Sequence, residues 1–325
     1  MSPHEAVVAV DIGGTTTKSA LVGVDGRILA TDVRATEHGE AAQRAVSAAT
    51  ATQASRARTL GARVVGAGVV SPGIIDEASG VVRYASNLGW RGVSLRDLLT
   101  TVLDAPVGVG HDARSAGIAE GVFGAVRGQA SYVHVSIGTG IAASLVVAGR
   151  AVSGHEGGAG ELGHTPVHPG GEPCPCGQRG CLEVYASGAG LARRYEQRTG
   201  TARTAAQVAA RLEEDRAAGE VWSEGARALA LGLATCTQLL DPQTIVIAGG
   251  LAQAGDLLLA PVRAGLAELL RWREAPTLVV TTLGTDAARL GAALVAMQAA
   301  GLADRAAAWD LGATGVPAGA GAAGG

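Results

Sequence analysis

One pattern occurs twice along the chain, and this repeat limits the possible folds more than any other feature. A buried strand is predicted over residues 6–11, and a glycine turn and further apolar runs follow it. The same order restarts near residue 132, with paired strands predicted over 132–137 and 142–147 on either side of another glycine turn. Between residues 60 and 126, strand-like and helix-like segments alternate. We therefore predict an α/β protein made of two similar halves.

The length of the chain also favours two lobes. With 325 residues, the chain exceeds the size at which a single hydrophobic core usually stops growing. Hydrophobic residues make up 47% of the sequence and charged residues 17%, which is typical of a globular protein. We place the first lobe at 1–116 and the second at 117–285. The Ala/Gly-rich stretch over 303–325 cannot bury enough apolar surface to order itself, so we expect a disordered tail there.

Charge and hydropathy exclude several classes of partner. The formal net charge is −3, and no cluster of lysines and arginines is interleaved with aromatic residues, so we expect no nucleic-acid partner. No stretch approaches about eighteen consecutive apolar residues. Residues 1–9 also lack the features of a signal peptide. We therefore expect no membrane partner and a cytoplasmic location.

The first glycine turn carries groups that suit nucleotide phosphates. Its sequence over residues 11–18 is Asp-Ile-Gly-Gly-Thr-Thr-Thr-Lys, which supplies a carboxylate, glycines, hydroxyls and an amine. Glycines let backbone N–H groups approach phosphate oxygens, hydroxyls and the ammonium add donors, and the carboxylate can hold Mg²⁺. An ordinary glycine hairpin is the alternative, because such turns are common. The candidate nucleotide-binding residues here are Asp11, Gly13, Gly14, Thr15, Thr16 and Lys18.

Two further glycine turns extend this interpretation. Gly138, Thr139 and Gly140 occupy the matching place in the second half, and Gly249 and Gly250 follow a predicted strand. Two phosphate-binding turns suit a nucleotide such as ATP held between two lobes. Hairpin geometry explains any one of these turns equally well, so their order relative to the strands is the informative part.

The loop over residues 164–181 contains the most specific local cluster in the sequence. His164, Cys174, Cys176 and Cys181 offer an imidazole and three thiols, which are the ligands that tetrahedral Zn²⁺ prefers. Glycines in the loop allow so short a segment to surround one ion. We predict a structural zinc site, and a cluster of reduced cysteines is the alternative.

A single carboxylate is a candidate catalytic base. Asp112 follows a strand predicted over 107–110, at the end where doubly wound sheets place their chemistry. Phosphoryl transfer needs one base oriented on the attacking hydroxyl, together with charge neutralisation by Mg²⁺ and other donors. From residue type alone, capping of the following helix explains Asp112 equally well.

Other polar residues could contact the hydroxyls of a sugar. Glu161, His164 and Glu183 flank the cysteine-rich loop, and Asn87 precedes Leu88-Gly89-Trp90. Carboxylate, imidazole and amide groups can accept hydrogen bonds from hydroxyls or donate to them. A solvated position on the surface is the alternative for each of the four.

Taken together, these stretches resemble the ROK family of bacterial sugar kinases and sugar-responsive repressors. The resemblance runs from residue 11 to about 302 and implies two ribonuclease-H-like lobes of the actin/hexokinase type, with ATP and sugar in the cleft between them. It also implies that a C-terminal helix over 286–302 completes the first lobe. The stretches that carry it are residues 11–18, 68–76, 87–90, 112, 138–140, 160–164, 174–183 and 283–293.

The resemblance implies a role for each matching residue. Asp112 matches the catalytic base of the family, and His164 with the three cysteines matches its zinc site. The positions that match sugar-lining residues are Gly73, Asn87, His111, Glu161, His164 and Glu183. The family usually has Asn where this chain has His111, and an imidazole is bulkier than an amide, so the identity of the sugar is open.

The resemblance implies ATP-dependent phosphorylation of a hexose, and we expect glucose because residues 181–188 look like those of glucokinase members. A kinase for an amino sugar is the alternative: N-acetylmannosamine, N-acetylglucosamine or kanosamine. A repressor is less expected, since only ten residues precede Asp11. A non-catalytic, sugar-sensing regulator is a further alternative. The resemblance suggests a homodimer or homotetramer, and it leaves open whether ATP or polyphosphate is the donor.

Overall fold

The structure, a computed structural model, describes residues 4–309, which form two compact units. The first unit comprises residues 4–127, 153–159 and 283–309, and the second comprises 128–152 and 160–282. The first unit therefore extends beyond residue 116, because the helix that begins at Asp112 belongs to it as a whole. Within the described part of the chain, no helix combines the length and the apolar character needed to cross a bilayer.

The regular elements alternate along most of the chain. Helices of the α type and strands are labelled in chain order. They are β1 (His4–Ile12), β2 (Thr16–Gly23), β3 (Ile28–Ala35), α1 (Gly39–Thr59), β4 (Ala62–Ser71), β5 (Ile74–Asp76), β6 (Val81–Ala85), β7 (Trp90–Ser94), α2 (Leu95–Thr100), β8 (Val107–His111), α3 (Asp112–Phe123), β9 (Tyr132–Ile137), β10 (Ile141–Val147), β11 (Arg150–Ala151), α4 (Leu182–Ala186), α5 (Gly188–Thr199), α6 (Ala205–Ala209), α7 (Arg216–Leu240), β12 (Thr244–Ala248), α8 (Asp256–Leu269), β13 (Thr277–Val280), α9 (Ala287–Ala299) and α10 (Ala303–Ala307).

Each unit contains a five-stranded sheet, and the two sheets have the same topology. The first sheet has the order β3-β2-β1-β4-β8 and the second has the order β11-β10-β9-β12-β13. In the first, β2 is antiparallel to β1 and β3, while β1, β4 and β8 are parallel. In the second, β10 is antiparallel to β9 and β11, while β9, β12 and β13 are parallel. The predicted repeat is confirmed at the level of strand order and direction.

The first sheet is covered on both faces, which explains the nearly continuous apolar sequence of β1. Val8 and Val10 belong to the core on the side of α1, and Val7 and Ala9 pack in the core formed with α9. Helix α9 is rich in alanine and lies very close to β4. A Cβ atom added at Gly68 would be 2.1 Å from the carbonyl oxygen of Ala292, so this approach requires glycine in the strand.

A small antiparallel sheet of order β5-β6-β7 follows β4 in the first unit. The sequence does not predict this sheet, because Pro72-Gly73 follows the end of β4 and the next strands are short. This sheet is held by the large side chain of Trp90, which is 1% exposed and donates from Nε1 to the carbonyl oxygen of Gly39 at 2.8 Å.

The core of the second unit is built on the long helix α7. The side chain of Asp215 accepts hydrogen bonds from the N–H groups of Ala217 and Ala218 and so caps its first turn. Leu229 and Leu233, in the middle of the helix, are fully buried. Helices α4, α5 and α8 pack against α7, and α4 directly follows the cysteine-rich loop.

The predicted disorder of the C-terminal stretch is wrong for residues 303–309. Helix α10 forms there, and Trp309 is 3% exposed. Its Nε1 donates to the carbonyl oxygen of Val24 at 3.1 Å, and its ring stacks on Phe123 with 5.8 Å between centroids. One large aromatic side chain supplies the burial that alanine and glycine cannot. The rest of the predicted tail, 310–325, lies outside the described residues.

Candidate active site and metal centre

The two candidate carboxylates of the first unit lie at the same edge of its sheet. Strands β1, β4 and β8 are parallel, so their carboxyl ends are neighbours. Asp11 near the end of β1 is opposite Val70, and His111 at the end of β8 is opposite Ser71. Asp112 is the first residue of α3, directly after β8. The chain order alone thus brings Asp11 and Asp112 to one edge.

Asp11 is a buried carboxylate without a direct partner. It is 6% exposed, and within residues 4–309 no hydrogen bond or ion pair to its side chain is formed. Burial and, to a smaller extent, the neighbouring charge of Asp112 raise the pKa of Asp11 to about 7, even though Lys18 and Arg289 act to lower it. A bound cation would stabilise the ionised form of a carboxylate in this environment, and Mg²⁺ prefers oxygen ligands. The site therefore fits a magnesium ion.

The first glycine turn has the geometry expected of a tight hairpin. The N–H of Gly13 donates to the carbonyl oxygen of Thr16 at 3.0 Å, and a Cβ at position 13 would be 2.8 Å from that oxygen. A Cβ at Gly14 would be 3.6 Å from the side-chain nitrogen of Asn87, so the turn and Asn87 are close together. Two candidate residues for the nucleotide and the sugar thus share one region of the first unit.

Lys18 has a contact that the sequence does not predict. Its Nζ donates to the carbonyl oxygen of Thr285 at 2.5 Å, so the ammonium ties β2 to the turn before α9. An ammonium group has three donors, and a phosphate can accept from another. Thr15 is exposed and Thr16 is half-buried at the same turn.

The structure separates the two roles that the sequence leaves open for Asp112. The residue that caps α3 is His111, whose Nδ1 accepts a hydrogen bond from the N–H of Arg114 at 3.4 Å. The side chain of Asp112 accepts from the adjacent N–H of Ala113 and remains 26% exposed. His111 is itself buried, with its Nδ1 3.3 Å from Oδ1 of Asp112. The exposed part of the carboxylate is therefore accessible to a hydroxyl group.

Gly73 and Asn87 were both predicted to line the sugar, but Gly73 is packed against backbone whereas Asn87 is exposed. Gly73 has φ of 106°, and a Cβ there would be 2.3 Å from the carbonyl oxygen of Tyr84, so close backbone packing is sufficient to require glycine. Asn87 is exposed on a 3₁₀ turn at Ser86–Leu88. Its amide is available to a ligand.

In the second unit, Glu183 lies beside the glycine turn between β9 and β10. Its Oε2 accepts from the N–H of Ile141 at 2.9 Å, and a Cβ at Gly140 would be 2.5 Å from the same oxygen. The third glycine turn is adjacent, since a Cβ at Gly249 would be 2.4 Å from the carbonyl oxygen of Ile137. The structure thus brings together the second and third predicted phosphate turns, with Thr139 exposed and Gly250 in open space.

The four predicted metal ligands converge on one point. Their ligand atoms all lie within 4.8 Å of one another. Sγ of Cys174 is 3.9 Å from Nδ1 of His164, and the sulfur atoms of Cys176 and Cys181 are 3.7 Å apart. Tetrahedral zinc with Zn–S bonds of about 2.3 Å and Zn–N bonds of about 2.0 Å separates its ligands by about 3.5–3.8 Å. The arrangement therefore fits a closed, four-coordinate site for Zn²⁺.

The two nitrogens of His164 face different groups. Nδ1 faces the cysteine sulfur, and Nε2 is 3.9 Å from Oε2 of Glu161. One imidazole can therefore bind a metal on one side and a further group on the other. This geometry is compatible with both roles predicted for His164, a zinc ligand and a sugar ligand.

Charged and aromatic side chains hold the cysteine-rich loop on α4 and α5. The N–H of Glu172 donates to the hydroxyl oxygen of Tyr185 at 2.8 Å. The carboxylate of Glu172 accepts from Nε of Arg194 at 2.8 Å and from Arg193 at 2.6 Å. These arginines lower the pKa of Glu172 against the opposing effect of burial. The loop is thereby attached to α4 and α5 at Glu172, between His164 and Cys174.

Several charged residues near the candidate carboxylates were not predicted. Arg289 on α9 is 7% exposed and pairs with Asp286 at 3.1 Å, next to Asp11. Arg114 on α3 is 4% exposed and pairs with Glu77. An arginine among alanines in a short helix is the one signal in the sequence that could have identified them.

The doubled five-stranded sheet, with carboxylates at its parallel edge, defines an α/β protein of the actin/hexokinase type. The profile of the ROK family matches residues 7–299. The chain belongs to the ROK family.

Similar proteins cover nearly all of the chain. A glucokinase of Streptomyces coelicolor is 30% identical over 312 residues, which is 90% of this chain and 97% of that protein. Among solved structures, the ROK hexokinase from Thermus thermophilus superposes with a TM-score of 0.79 at 32% identity, covering 90% and 98% of the two chains. A ROK family glucokinase from Streptomyces griseus, solved with glucose and AMPPNP, superposes with a TM-score of 0.77 at 31% identity. The match covers 90% of this chain and 99% of that one.

Proposed function

We propose that the protein is a sugar kinase that transfers the γ-phosphoryl group of ATP to glucose. The glucokinases described above support the substrate and the nucleotide. The observation that carries the proposal in this chain is Asp112, whose carboxylate is left partly exposed because His111 caps α3 in its place. It lies at the same sheet edge as the buried Asp11.

The proposed reaction uses Asp112 as a general base. Its carboxylate accepts the proton of the 6-hydroxyl group while that oxygen forms a bond to the γ-phosphorus, and ADP leaves with the electrons of the broken P–O bond. Asp11 is the residue that would hold Mg²⁺, and the glycine turns would bind phosphate oxygens through their N–H groups. When bound, Mg²⁺ neutralises charge on the phosphate oxygens.

Candidate sugar contacts are proposed in each unit separately. In the first unit, Asn87 and His111 would donate to sugar hydroxyls, and Gly73 would contribute through its backbone. In the second unit, the candidates are the carboxylates of Glu161 and Glu183 and Nε2 of His164. Support comes from the short distance between His164 and Glu161 and from the exposure of Asn87.

We propose a structural zinc ion for the cysteine-rich loop. His164 through Nδ1, Cys174, Cys176 and Cys181 would hold it, and when bound it supplies the cross-links that a loop without its own core lacks. In the metal-free thiols, burial and the neighbouring thiols raise the pKa of Cys181 to about 12, so a thiolate there needs a cation.

Replacement of one zinc ligand tests this site. Cys176→Ser should lose the zinc that the wild-type protein binds, and it should raise the glucose KM because His164 is no longer fixed. Metal analysis of the purified proteins gives the zinc content. Cys236→Ser is the matched control, since Cys236 is buried in α7 away from the cluster. If Cys176→Ser retained the full zinc content, the assignment would be wrong.

The proposed phosphotransferase activity is tested with ATP, Mg²⁺ and a panel of glucose, mannose and the three amino sugars named above. Glucose should give the highest kcat/KM. Asp112→Asn should lower kcat by about 100-fold or more, with little change in glucose binding. The control is Asp104→Asn, which removes an exposed carboxylate. No phosphorylated product from any sugar would refute the kinase, and near-normal turnover of Asp112→Asn would refute the base.

The remaining proposals concern the setting of the enzyme. Use of ATP and Mg²⁺ suits a cytoplasmic protein, and family resemblance suggests a homodimer or homotetramer. Light scattering coupled to size-exclusion chromatography would measure the assembly, and a monomeric mass at micromolar concentration would contradict it.

A further inference from the structure

The buried charge of Arg114 is a feature that the proposed reaction does not use directly. Arg114 is the third residue of α3, two positions after Asp112, and it is 4% exposed. Its Nη1 donates to Oε1 of Glu77 at 2.5 Å, and its Nη2 donates to the carbonyl oxygen of Gly157 at 2.8 Å. One guanidinium group thus joins three separate segments of the first unit.

Glu77 connects Arg114 to the residue before Asp112. The same Oε1 atom that pairs with Arg114 also accepts from the N–H of His111 at 3.3 Å. His111 in turn caps α3 through the N–H of Arg114. The residues on both sides of Asp112 are therefore bound into one closed set of hydrogen bonds.

The turn that carries Glu77 is fixed independently by Arg96. This guanidinium donates to the carbonyl oxygens of Glu77 at 3.1 Å, Ala78 at 2.7 Å and Val107 at 3.3 Å. The start of β8 is thus tied to the backbone of the turn, and the end of β8 is tied to the side chain of Glu77. The carboxylate of Glu77 is held in place before it meets Arg114.

Residues 153–159, which we call the strap, are the third segment that Arg114 joins. The strap closes on itself through the N–H of Ala159, which donates to the carbonyl oxygen of Ser153 at 3.0 Å. It lies close to β5, since a Cβ at Gly157, where φ is 81°, would be 2.4 Å from the carbonyl oxygen of Ile75. The chain continues from the strap to Glu161, a candidate sugar ligand.

Stability alone is a poor reason to bury Arg114, because the side chain of its partner Glu77 is 40% exposed. The guanidinium loses its hydration, whereas the charge of an exposed carboxylate is screened by water, so their attraction offsets the desolvation cost only in part. Geometry is the better reason, because one hydrogen bond of the guanidinium ends on Glu77, which also accepts from His111, and the other ends on Gly157 in the strap. A planar guanidinium with several donors in fixed directions is suited to hold such groups in register.

We propose that Arg114 and Glu77 are positioning residues, which hold the His111–Asp112 turn and the strap in the geometry that sugar phosphorylation requires. The inference rests on the proposed function, because Asp112 is the group on which the pair acts through His111. Neither Arg114 nor Glu77 needs to touch the sugar.

Kinetics of matched variants test the proposal. Arg114→Met and Glu77→Ala should lower kcat for glucose by about 10- to 100-fold and raise the glucose KM, with the ATP KM nearly unchanged. Glu77→Gln keeps an oxygen that accepts from His111 and should recover most of the kcat that Glu77→Ala loses. The control is Arg83→Met, because Arg83 pairs with Asp76, next to Glu77, but is half-exposed. Wild-type kinetics in Arg114→Met, or equal losses in Arg83→Met, would overturn the proposal.

A second measurement does not depend on turnover. Amide hydrogen exchange should become faster in peptides that cover residues 108–116 and 153–160 of Arg114→Met, and stay unchanged there in Arg83→Met. Unchanged exchange would overturn the positioning role whether or not glucose is phosphorylated. A wild-type protein inactive on every sugar would refute the proposed function alone. If Arg114→Met does not fold, Arg114→Lys is the alternative variant, because it keeps the positive charge but lacks the planar guanidinium group. It should show faster amide exchange over residues 153–160.

Discussion

Replacement of Asp11 by asparagine should make the protein more stable and less active. Asp11 is 6% exposed and has no direct partner for its charge among the described residues. Asparagine has nearly the same shape and carries no charge. In the proposed enzyme, the buried charge serves to hold Mg²⁺, so the variant should gain stability in the absence of ligands and lose turnover.

The magnitude follows from the pKa of Asp11. Burial, with the charge of Asp112 adding to it, raises this pKa from the ordinary value of 3.8 to about 7. The folded state therefore binds the proton more tightly than the unfolded chain, and stability is lost as pH rises from 3.8 towards 7. Ionised Asp11 should cost up to about 4 kcal/mol at pH 8 but less than about 2 kcal/mol at pH 5. Asparagine removes this cost at both values.

Urea unfolding of the ligand-free protein at pH 8 and pH 5 measures the effect. Asp11→Asn should increase the free energy of unfolding at pH 8 by about 2–4 kcal/mol, and the gain should shrink at pH 5. Asp104→Asn, at an exposed position, should change it by less than about 0.5 kcal/mol. A variant no more stable than the wild type at pH 8, or a gain independent of pH, would refute the reasoning.

Two other predictions concern stability. Burial lowers the pKa of His134 to about 4, and neither ring nitrogen has a hydrogen-bond partner among residues 4–309. Between pH 6.5 and 4, the unfolded chain takes up a proton that the folded protein does not. The free energy of unfolding therefore falls by up to about 3 kcal/mol as the pH is lowered. His134→Leu should remove this acid sensitivity in urea unfolding at pH 7 and pH 5, and an unchanged difference between the two would contradict it. Trp309→Ala should lower the free energy of unfolding by about 3 kcal/mol, because it deletes a buried ring that stacks on Phe123. Thermal unfolding measures this loss, and an unchanged melting temperature would show that the C-terminal contact is not stabilising.

Local pattern was sufficient to predict the sheet edge and the metal cluster. The apolar run before Asp11 identifies a strand and places the carboxylate at its end, and the parallel order of the following strands brings Asp112 to the same edge. The close spacing of the cysteines places them in one short loop, and this favours convergence of their sulfur atoms, which the structure shows together with the imidazole of His164. The metal cluster thus depends mainly on neighbours in sequence, and the sheet edge depends on the order of the strands.

Features that depend on distant neighbours could not be predicted. The pair of Glu77 and Arg114 joins residues 37 apart and needs the small sheet of β5, β6 and β7 to carry Glu77 to α3. The cap of α3 was unexpected because imidazole is an uncommon capping group, whereas aspartate is a common one. Trp309 was missed because composition averages over a stretch in which one side chain decides the packing.

The interrupted first unit sets an order for events during synthesis. Its sheet is formed from the first residues to leave the ribosome, yet the face that contains Val7, Ala9 and Val70 is covered by α9, which is translated after every residue of the second unit. The amino-terminal sheet can therefore bury this apolar face against α9 only after the second unit has been synthesised. Domains usually fold in the order in which they emerge, whereas this connectivity allows the second unit to complete its core before the first.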